Sequence, residues 1–316
     1  MITSDLQRKL LAVALLTLSV AAAEAQIQIA SGANPKVGPI PQNEKMHPHV
    51  PGSLEERYLA EVNAAYASLR RDSLEAAKVH FDAALRIMPE SKANAEIYYE
   101  LGQMAECEKR YAGAEAYYTH AVGINAKFQK CLLRRAHVRL LQGKFQDAVD
   151  DYSSVLGLEH NQADALYFRG YAYMQKGDFE NAGRDYRSLL ALKPTNGKVQ
   201  FCLAFIEQKT GKYEQALERL TNLIERTPEN GAYYAARAVV ETELHRYAQA
   251  HVDWNKAVQL IPDNGGYRLE RAKLLYITGK KKEAALDFLK ARDLGISAAE
   301  INEARRLAKN APKVKE

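Results

Sequence analysis

Apolar residues recur at the three-to-four-residue spacing of amphipathic helices from Leu54 almost to the end of the chain. Glycines and prolines interrupt this pattern at regular intervals, as they do at turns between helices. One set of turn glycines has a spacing of 34 residues and comprises Gly143, Gly177, Gly211 and, two intervals later, Gly279. The same spacing separates Pro194, Pro228 and Pro262. The pattern predicts an all-α protein in which a pair of helices is repeated.

The two sets place repeat starts near residues 58, 95, 129, 163, 197, 231 and 265, with three extra residues after the first copy. Other columns agree with this frame. Position 20 is alanine in all seven copies, at Ala77, Ala114, Ala148, Ala182, Ala216, Ala250 and Ala284. Position 8 is always alanine or glycine, and position 24 is always large. Small residues at 8 and 20 let the paired helices approach closely, and the large residue at 24 fills the space between pairs.

These columns resemble the tetratricopeptide repeat, which has a period of 34 residues, small residues at positions 8 and 20, an aromatic residue at 24 and proline at 32. The resemblance covers roughly Tyr58 to Ala298. It weakens at the ends, where Leu74 and Lys281 replace the aromatic residue of position 17. The resemblance implies a right-handed α-solenoid of seven helical hairpins over residues 54–309. Ser297 and Glu300 have capping-box spacing, which predicts a C-terminal cap helix at 298–309.

Two charged columns vary together between the copies. Position 7 is arginine and position 23 is aspartate in the same four repeats, which contain Arg135 with Asp151, Arg169 with Asp185, Arg237 with Asp253 and Arg271 with Asp287. In the other three repeats both residues are absent. Joint presence and absence predict an ion pair between the two helices of a hairpin, with Arg169 in contact with Asp185.

The N-terminus has the pattern of a signal peptide over residues 1–25. Arg8 and Lys9 precede an apolar run from Leu10, and the segment ends in a small-x-small site at Ala25. We expect cleavage near Ala25 and an exported protein, periplasmic or secreted; the alternative is an uncleaved anchor. Residues 26–53 hold five of the ten prolines, which predicts a flexible leader.

Charge and composition add few constraints. The net charge is +5, and basic and acidic residues are interleaved along most of the chain, which does not favour a nucleic-acid partner. Beyond the N-terminus, no apolar run is long enough to span a membrane. The basic tail at 310–316 is predicted to be disordered and could contact an anionic surface. Cys107, Cys131 and Cys202 fall on three different repeats and are interpreted as small apolar fillers.

Motifs of catalysis are absent from the sequence. Its Gly-Lys pairs lack the rest of a phosphate loop, and there is no His-Glu-x-x-His, Gly-x-Ser-x-Gly or Cys-x-x-Cys. The eight histidines share no ligand spacing, and His47 and His49 alone are weak evidence for a metal. The sequence therefore favours a protein that is not an enzyme and has no cofactor or metal.

The resemblance implies that the first helices of the hairpins line a concave groove with positions 2, 5, 9, 12 and 13 facing inward. The candidate groove residues are Tyr66, Tyr99, His137, Tyr167, Tyr171, Phe201 and Phe205. We expect a non-catalytic scaffold or adaptor that binds a protein or peptide there, as an extended segment or as a helix. Two alternatives remain: the rings pack on one another, or the solenoid is a structural spacer or assembly subunit that contacts partners through its convex faces, the leader or the basic tail. A small molecule held between the central rings is a third.

Overall fold

The computed structural model describes residues 52–311, which hold fifteen helices and no strand. The predicted signal peptide, nearly all of the predicted leader and most of the predicted basic tail lie outside these residues. The helices form two compact units that divide after Leu192. The first part of the fold prediction, an all-α chain of seven hairpins, is confirmed.

The N-terminal unit consists of four hairpins. Its helices are α1 (Leu54–Arg70), α2 (Leu74–Ile87), α3 (Asn94–Cys107), α4 (Tyr111–Ile124), α5 (Gln129–Leu141), α6 (Phe145–Leu158), α7 (Ala163–Gln175) and α8 (Phe179–Leu192). Each odd-numbered helix packs on the even-numbered helix that follows it, and that helix in turn contacts the first helix of the next hairpin.

The C-terminal unit consists of three hairpins and a final single helix. Its helices are α9 (Gly197–Lys209), α10 (Tyr213–Arg226), α11 (Gly231–Glu243), α12 (Tyr247–Leu260), α13 (Gly265–Ile277), α14 (Lys281–Asp293) and α15 (Ala298–Asn310). Helix α15 begins with the capping box that Ser297 and Glu300 predict. Its Ile301 packs in one cluster with Leu269 and Phe288, so α15 covers the last hairpin.

The turn inside every hairpin needs one residue in the left-handed backbone region. At position 15 this residue is glycine in four repeats, with φ between 73° and 81°. The other three repeats use Asp72, Lys109 and His245, with φ of 57° or 58°. Glycine adopts this conformation without steric cost, which explains the 34-residue glycine spacing. Between hairpins, Asn196, Asn230 and Asn264 cap the next helix by accepting a backbone N–H bond.

Helix crossings within the hairpins follow the small-residue columns. All seven alanines of position 20 are 0% exposed. Position 8 is buried as well, and Gly170 shows why it must be small. A Cβ atom added to Gly170 would lie 2.9 Å from Cε1 of Tyr186, the position 24 ring of the same hairpin. The packing therefore supports the repeat frame.

The predicted ion pair is present in all four repeats. Arg169 donates from Nε and Nη2 to the two carboxylate oxygens of Asp185, at 2.8 and 2.7 Å. The same two-bond geometry joins Arg135 to Asp151, Arg237 to Asp253 and Arg271 to Asp287. A further bond was not predicted: Nη1 of Arg169 donates to Ser153, at position 25 of the preceding repeat, at 3.0 Å. Each arginine therefore links three helices.

One interpretation of the cysteines is wrong. Cys131 and Cys202 are buried, as expected of apolar fillers, but Cys107 is exposed. It is the last residue of α3, where the helix leaves the core. None of the three cysteines forms a disulfide.

Candidate binding surface

The predicted site residues lie on the first helices of the hairpins. Within the N-terminal unit α5 contacts α7, and within the C-terminal unit α9 contacts α11. We call the surface formed by these odd-numbered helices the first-helix face of each unit. The repeat places the same positions of successive first helices beside one another, so residues distant in sequence meet on this face.

Tyrosines on the N-terminal first-helix face are half-buried and contact the rings of the core. The ring of Tyr66 meets Phe81 edge-on, with centroids 5.4 Å apart. The ring of Tyr99 lies 5.2 Å from that of Phe128, the residue that precedes α5. Burial raises the pKa of both hydroxyls, so they stay protonated and can donate hydrogen bonds.

Two further tyrosines continue this face. Tyr167 and Tyr171 stand one turn apart on α7, and both are half-buried. The Tyr167 ring packs edge-on against Phe168 at 5.2 Å and lies 6.0 Å from Tyr186. The Tyr167 ring thus divides its surface between the core and the open side of the helix.

His137 and Phe201 are buried, each with 7% of its surface exposed. His137 lies 5.8 Å from Phe168, and neither ring nitrogen has a hydrogen-bond partner. Burial, with a smaller effect from Arg134, lowers the pKa of His137 to about 4. Phe201 packs against Tyr233 at 5.2 Å in the C-terminal unit. These two side chains therefore lie beneath the surface and contribute little accessible area to it. This agrees with the alternative that the rings pack on one another.

A pair of carboxylates on α3 did not enter the predicted site. Glu96 and Glu100 stand one turn apart, at positions 2 and 6 of the repeat, close to Tyr66. Burial, and then the charge of Glu96, raises the pKa of Glu100 to about 7, while Lys130 opposes the rise. Position 6 was not among the positions that the repeat pattern directs inward. The signal in the sequence was a glutamate at position 6 that lies one turn after the glutamate at position 2.

The C-terminal first-helix face contains an apolar recess. It is shallow and open to solvent, and it is lined by Phe201, Ala204, Phe205, Gln208, Leu220, Ala236 and Val240. Phe205 is half-buried and forms one side of the recess. The ammonium group of Lys209 lies 5.1 Å from the centre of the Phe205 ring. The arrangement offers apolar contact area with one cation beside it.

Within residues 52–311, no three His, Cys, Asp or Glu side chains are grouped so that they could share a metal ion. The helices in that part of the chain are all too short or too polar to cross a bilayer. The first-helix faces offer hydrogen-bonding, aromatic, apolar and charged groups to a partner.

Comparison with known proteins gives a consistent result. Family models described as tetratricopeptide repeat match residues 95–128, 133–197 and 173–240. No curated protein matches the sequence significantly. Among solved structures, a tetratricopeptide repeat protein from Parabacteroides merdae is 25% identical, with a TM-score of 0.59 over 81% of this chain and 100% of that one.

Two other solved structures share the fold at lower identity. MamA is 18% identical, with a TM-score of 0.51 over 56% of this chain and 97% of MamA. YrrB, described as a TPR protein with an unusual peptide-binding site, is 16% identical, with a TM-score of 0.52 over 59% of this chain and 95% of YrrB. The repeat matches and the buried columns together show that the chain is built from tetratricopeptide repeats.

Proposed function

We propose that this protein is a non-catalytic scaffold that binds a peptide segment or a partner helix on its first-helix faces. The observation that carries the proposal is the apolar recess beside Phe205 on α9 and α11. The recess is small, so a bound segment would gain most of its apolar contact from the partly buried rings around it, Phe205 and Tyr234, at about 25 cal/mol per Å² covered. Tetratricopeptide repeats typically serve as non-catalytic scaffolds for protein interactions, which agrees with this reading.

The chemistry of the recess favours an apolar side chain as the anchor of the bound segment. Its lining is aliphatic and aromatic, with Gln208 as the polar member. Aromatic and aliphatic anchors in such recesses commonly dominate binding energy at protein interfaces.

The N-terminal unit offers a different surface. Tyr66 and Tyr99 can donate hydrogen bonds, and Glu96 and Glu100 supply negative charge nearby. A basic side chain would satisfy both carboxylates and lower the pKa of Glu100. A partner for this unit would therefore carry lysine or arginine.

Export defines where the partner would be. The N-terminal charge, apolar run and small-x-small site over residues 1–25 support secretion across a membrane. The partner would then be a protein or peptide of the cell envelope or of the medium. This part of the proposal rests on the sequence of the first 25 residues alone.

The Phe205→Ala variant tests the proposal. Peptides selected on the chain from Gln26 should bind at least about tenfold more weakly to the variant, because the recess loses its aromatic side. Binding would be measured by titration calorimetry, with helicity by circular dichroism as the check on folding. Leu289→Ala, an exposed apolar side chain on the even-numbered helix α14, is the matched control and should leave affinity unchanged. Equal affinity of the Phe205→Ala variant would reject the recess as the site.

The alternative is a spacer that contacts partners through its even-numbered helices. The exposed side chains of Val79 and Leu286, at position 22 of the first and last repeats, favour it. Cross-links that join a partner to these helices and avoid α9 and α11 would support the spacer. Cross-links to α9 and α11 would support the scaffold.

A further inference from the structure

Position 22 of the repeat faces solvent on the second helix of every hairpin. Its residues are Val79, Ala116, Asp150, Arg184, Glu218, Val252 and Leu286, and all seven are exposed. The three middle repeats place charges there, as an exposed helix position favours. The last two repeats place Val252 and Leu286 there instead, with 65% and 68% of their surface exposed. The same structural position is therefore apolar in two consecutive repeats at one end of the chain.

Val252 and Leu286 belong to neighbouring helices that one arginine connects. Nη1 of Arg271 donates to Asn255 on α12 at 3.0 Å, and its Nε donates to Asp287 on α14 at 2.6 Å. Val252 lies one turn before Asn255, and Leu286 immediately precedes Asp287. Leu289, one turn further along α14, is 45% exposed. We call Val252, Leu286 and Leu289 the apolar patch.

Lysines border the apolar patch. Lys282 and Lys290 stand one turn before and one turn after Leu286, and Lys256 stands one turn after Val252. The exposed charged residues of α14 are Lys281, Lys282, Lys290 and Arg292 against Glu283 and Asp293. Asp293 contacts Arg292 at 3.5 Å, which cancels one charge of each sign and leaves three lysines against Glu283. Around the patch the positive charge predominates.

Charge complementarity selects the occupant. A second copy would bring lysines against lysines, which opposes self-association through this face. A partner that bound only through charge would leave the three exposed aliphatic side chains uncovered. A bilayer with anionic head groups satisfies both features, because aliphatic side chains enter below the head groups while lysines pair with their phosphates.

We propose that the apolar patch and its lysines dock the C-terminal unit on an anionic lipid surface. The contact is peripheral, with the even-numbered helices α12 and α14 lying along the membrane. Arg305, whose guanidinium lies 5.0 Å from the Phe288 ring centre, adds a cation at the same end of the unit. The proposal is independent of what the first-helix faces bind, since it uses other residues.

Vesicle flotation of the chain from Gln26 tests the proposal. We expect flotation with vesicles of phosphatidylcholine and phosphatidylglycerol, much less with phosphatidylcholine alone, and a loss of binding as salt is raised. The double variant Val252→Glu with Leu286→Glu should reduce the partition coefficient at least about tenfold. Lys282→Gln with Lys290→Gln should reduce it about fivefold for each lysine.

Val79→Glu is the matched control. Val79 has the same repeat position and the same 65% exposure, but its neighbours one turn away are Glu75 and Ala83. This variant should float like the parent chain. Thermal unfolding of all variants should be unchanged, because the substituted side chains are exposed.

Three results would overturn the proposal. The first is no flotation with anionic vesicles at low salt, and the second is flotation that the double glutamate variant retains. The third is a concentration-dependent dimer, seen by analytical ultracentrifugation, that the same double variant abolishes. That outcome would assign the patch to a second copy of the chain.

Discussion

Asp185 is almost fully buried, and its carboxylate is satisfied by Arg169 of the same hairpin. Removing only the acid leaves a guanidinium without its partner, so we expect Asp185→Ala to lower the free energy of unfolding by about 3 kcal/mol. Replacing both residues by leucine should cost less than this single change, because no charge is then left unpaired. Urea denaturation of the single and double variants measures both. Additive effects of the two single changes would contradict the coupling.

The ion pair could be predicted because both partners belong to one repeat and vary together. The third bond of each arginine could not, since its acceptor lies in the preceding repeat and changes chemically from copy to copy. The acceptors are Thr119, Ser153, Thr221 and Asn255, all at position 25. A hydroxyl or an amide serves equally well as an acceptor, so the column shows no single residue type.

Glu241 on α11 is buried, and its carboxylate is only partly hydrogen-bonded. One of its carboxylate oxygens has no hydrogen-bond partner. Burial, and then the charge of Asp253, raises its pKa to about 7, although Arg237 and Arg246 oppose the rise. The folded protein therefore holds this proton at pH values where the unfolded chain has released it. The free energy of unfolding should fall as pH rises from about 4.5 to about 7.

The Glu241→Gln variant should lose this pH dependence. At pH 8 we expect it to be more stable than the parent chain by about 1–2 kcal/mol, and at pH 4.5 to be equally stable. Glu207→Gln is the matched control, because Glu207 holds the same repeat position but accepts two bonds from Arg219. That change should destabilise at pH 8. Urea denaturation at both pH values decides, and a Glu241→Gln variant less stable at pH 8 would be the contrary result.

Helix crossings set the tolerance of each hairpin to larger side chains. Ala182 lies where α8 crosses α7 and has no exposed surface. We expect Ala182→Leu to lower the free energy of unfolding by about 1–3 kcal/mol, because the added atoms have no space between the helices. Ala285→Leu, at an exposed position of α14, should be neutral. Thermal unfolding compares the two, and a neutral Ala182→Leu would contradict the close crossing.

The helices themselves follow from features that a sequence displays directly. Position 20 alanine and the turn glycines recur in register, so the number, order and pairing of helices could be predicted. The left-handed turns at Asp72, Lys109 and His245 could not be predicted from glycine, because these repeats have another residue there. The chain there adopts the turn without glycine because the neighbouring helices already pack, and tertiary contacts hold a conformation that local preference disfavours.

Across the whole chain, burial of site residues was harder to predict than the fold. The repeat assigns Phe201 and Phe205 to one face, and only their neighbours decide how much of each ring stays open. Tyr233 on the next hairpin covers Phe201, whereas Phe205 remains at the edge of the recess. The division after Leu192 was also not predicted, because the 34-residue period continues through it without interruption.

We expect the first 25 residues to direct export of the whole molecule. The apolar run from Leu10 to Ala23 has fourteen residues, against the about 20 that a spanning helix needs, so we expect cleavage and not anchoring. Protein recovered from its own cells should begin at Gln26 by intact-mass measurement. Ala25→Arg should block cleavage, because the site requires a small residue, and Ala30→Arg should not. Recovery of a chain that begins at Met1 in the parent protein would favour the uncleaved anchor and move the scaffold onto the membrane.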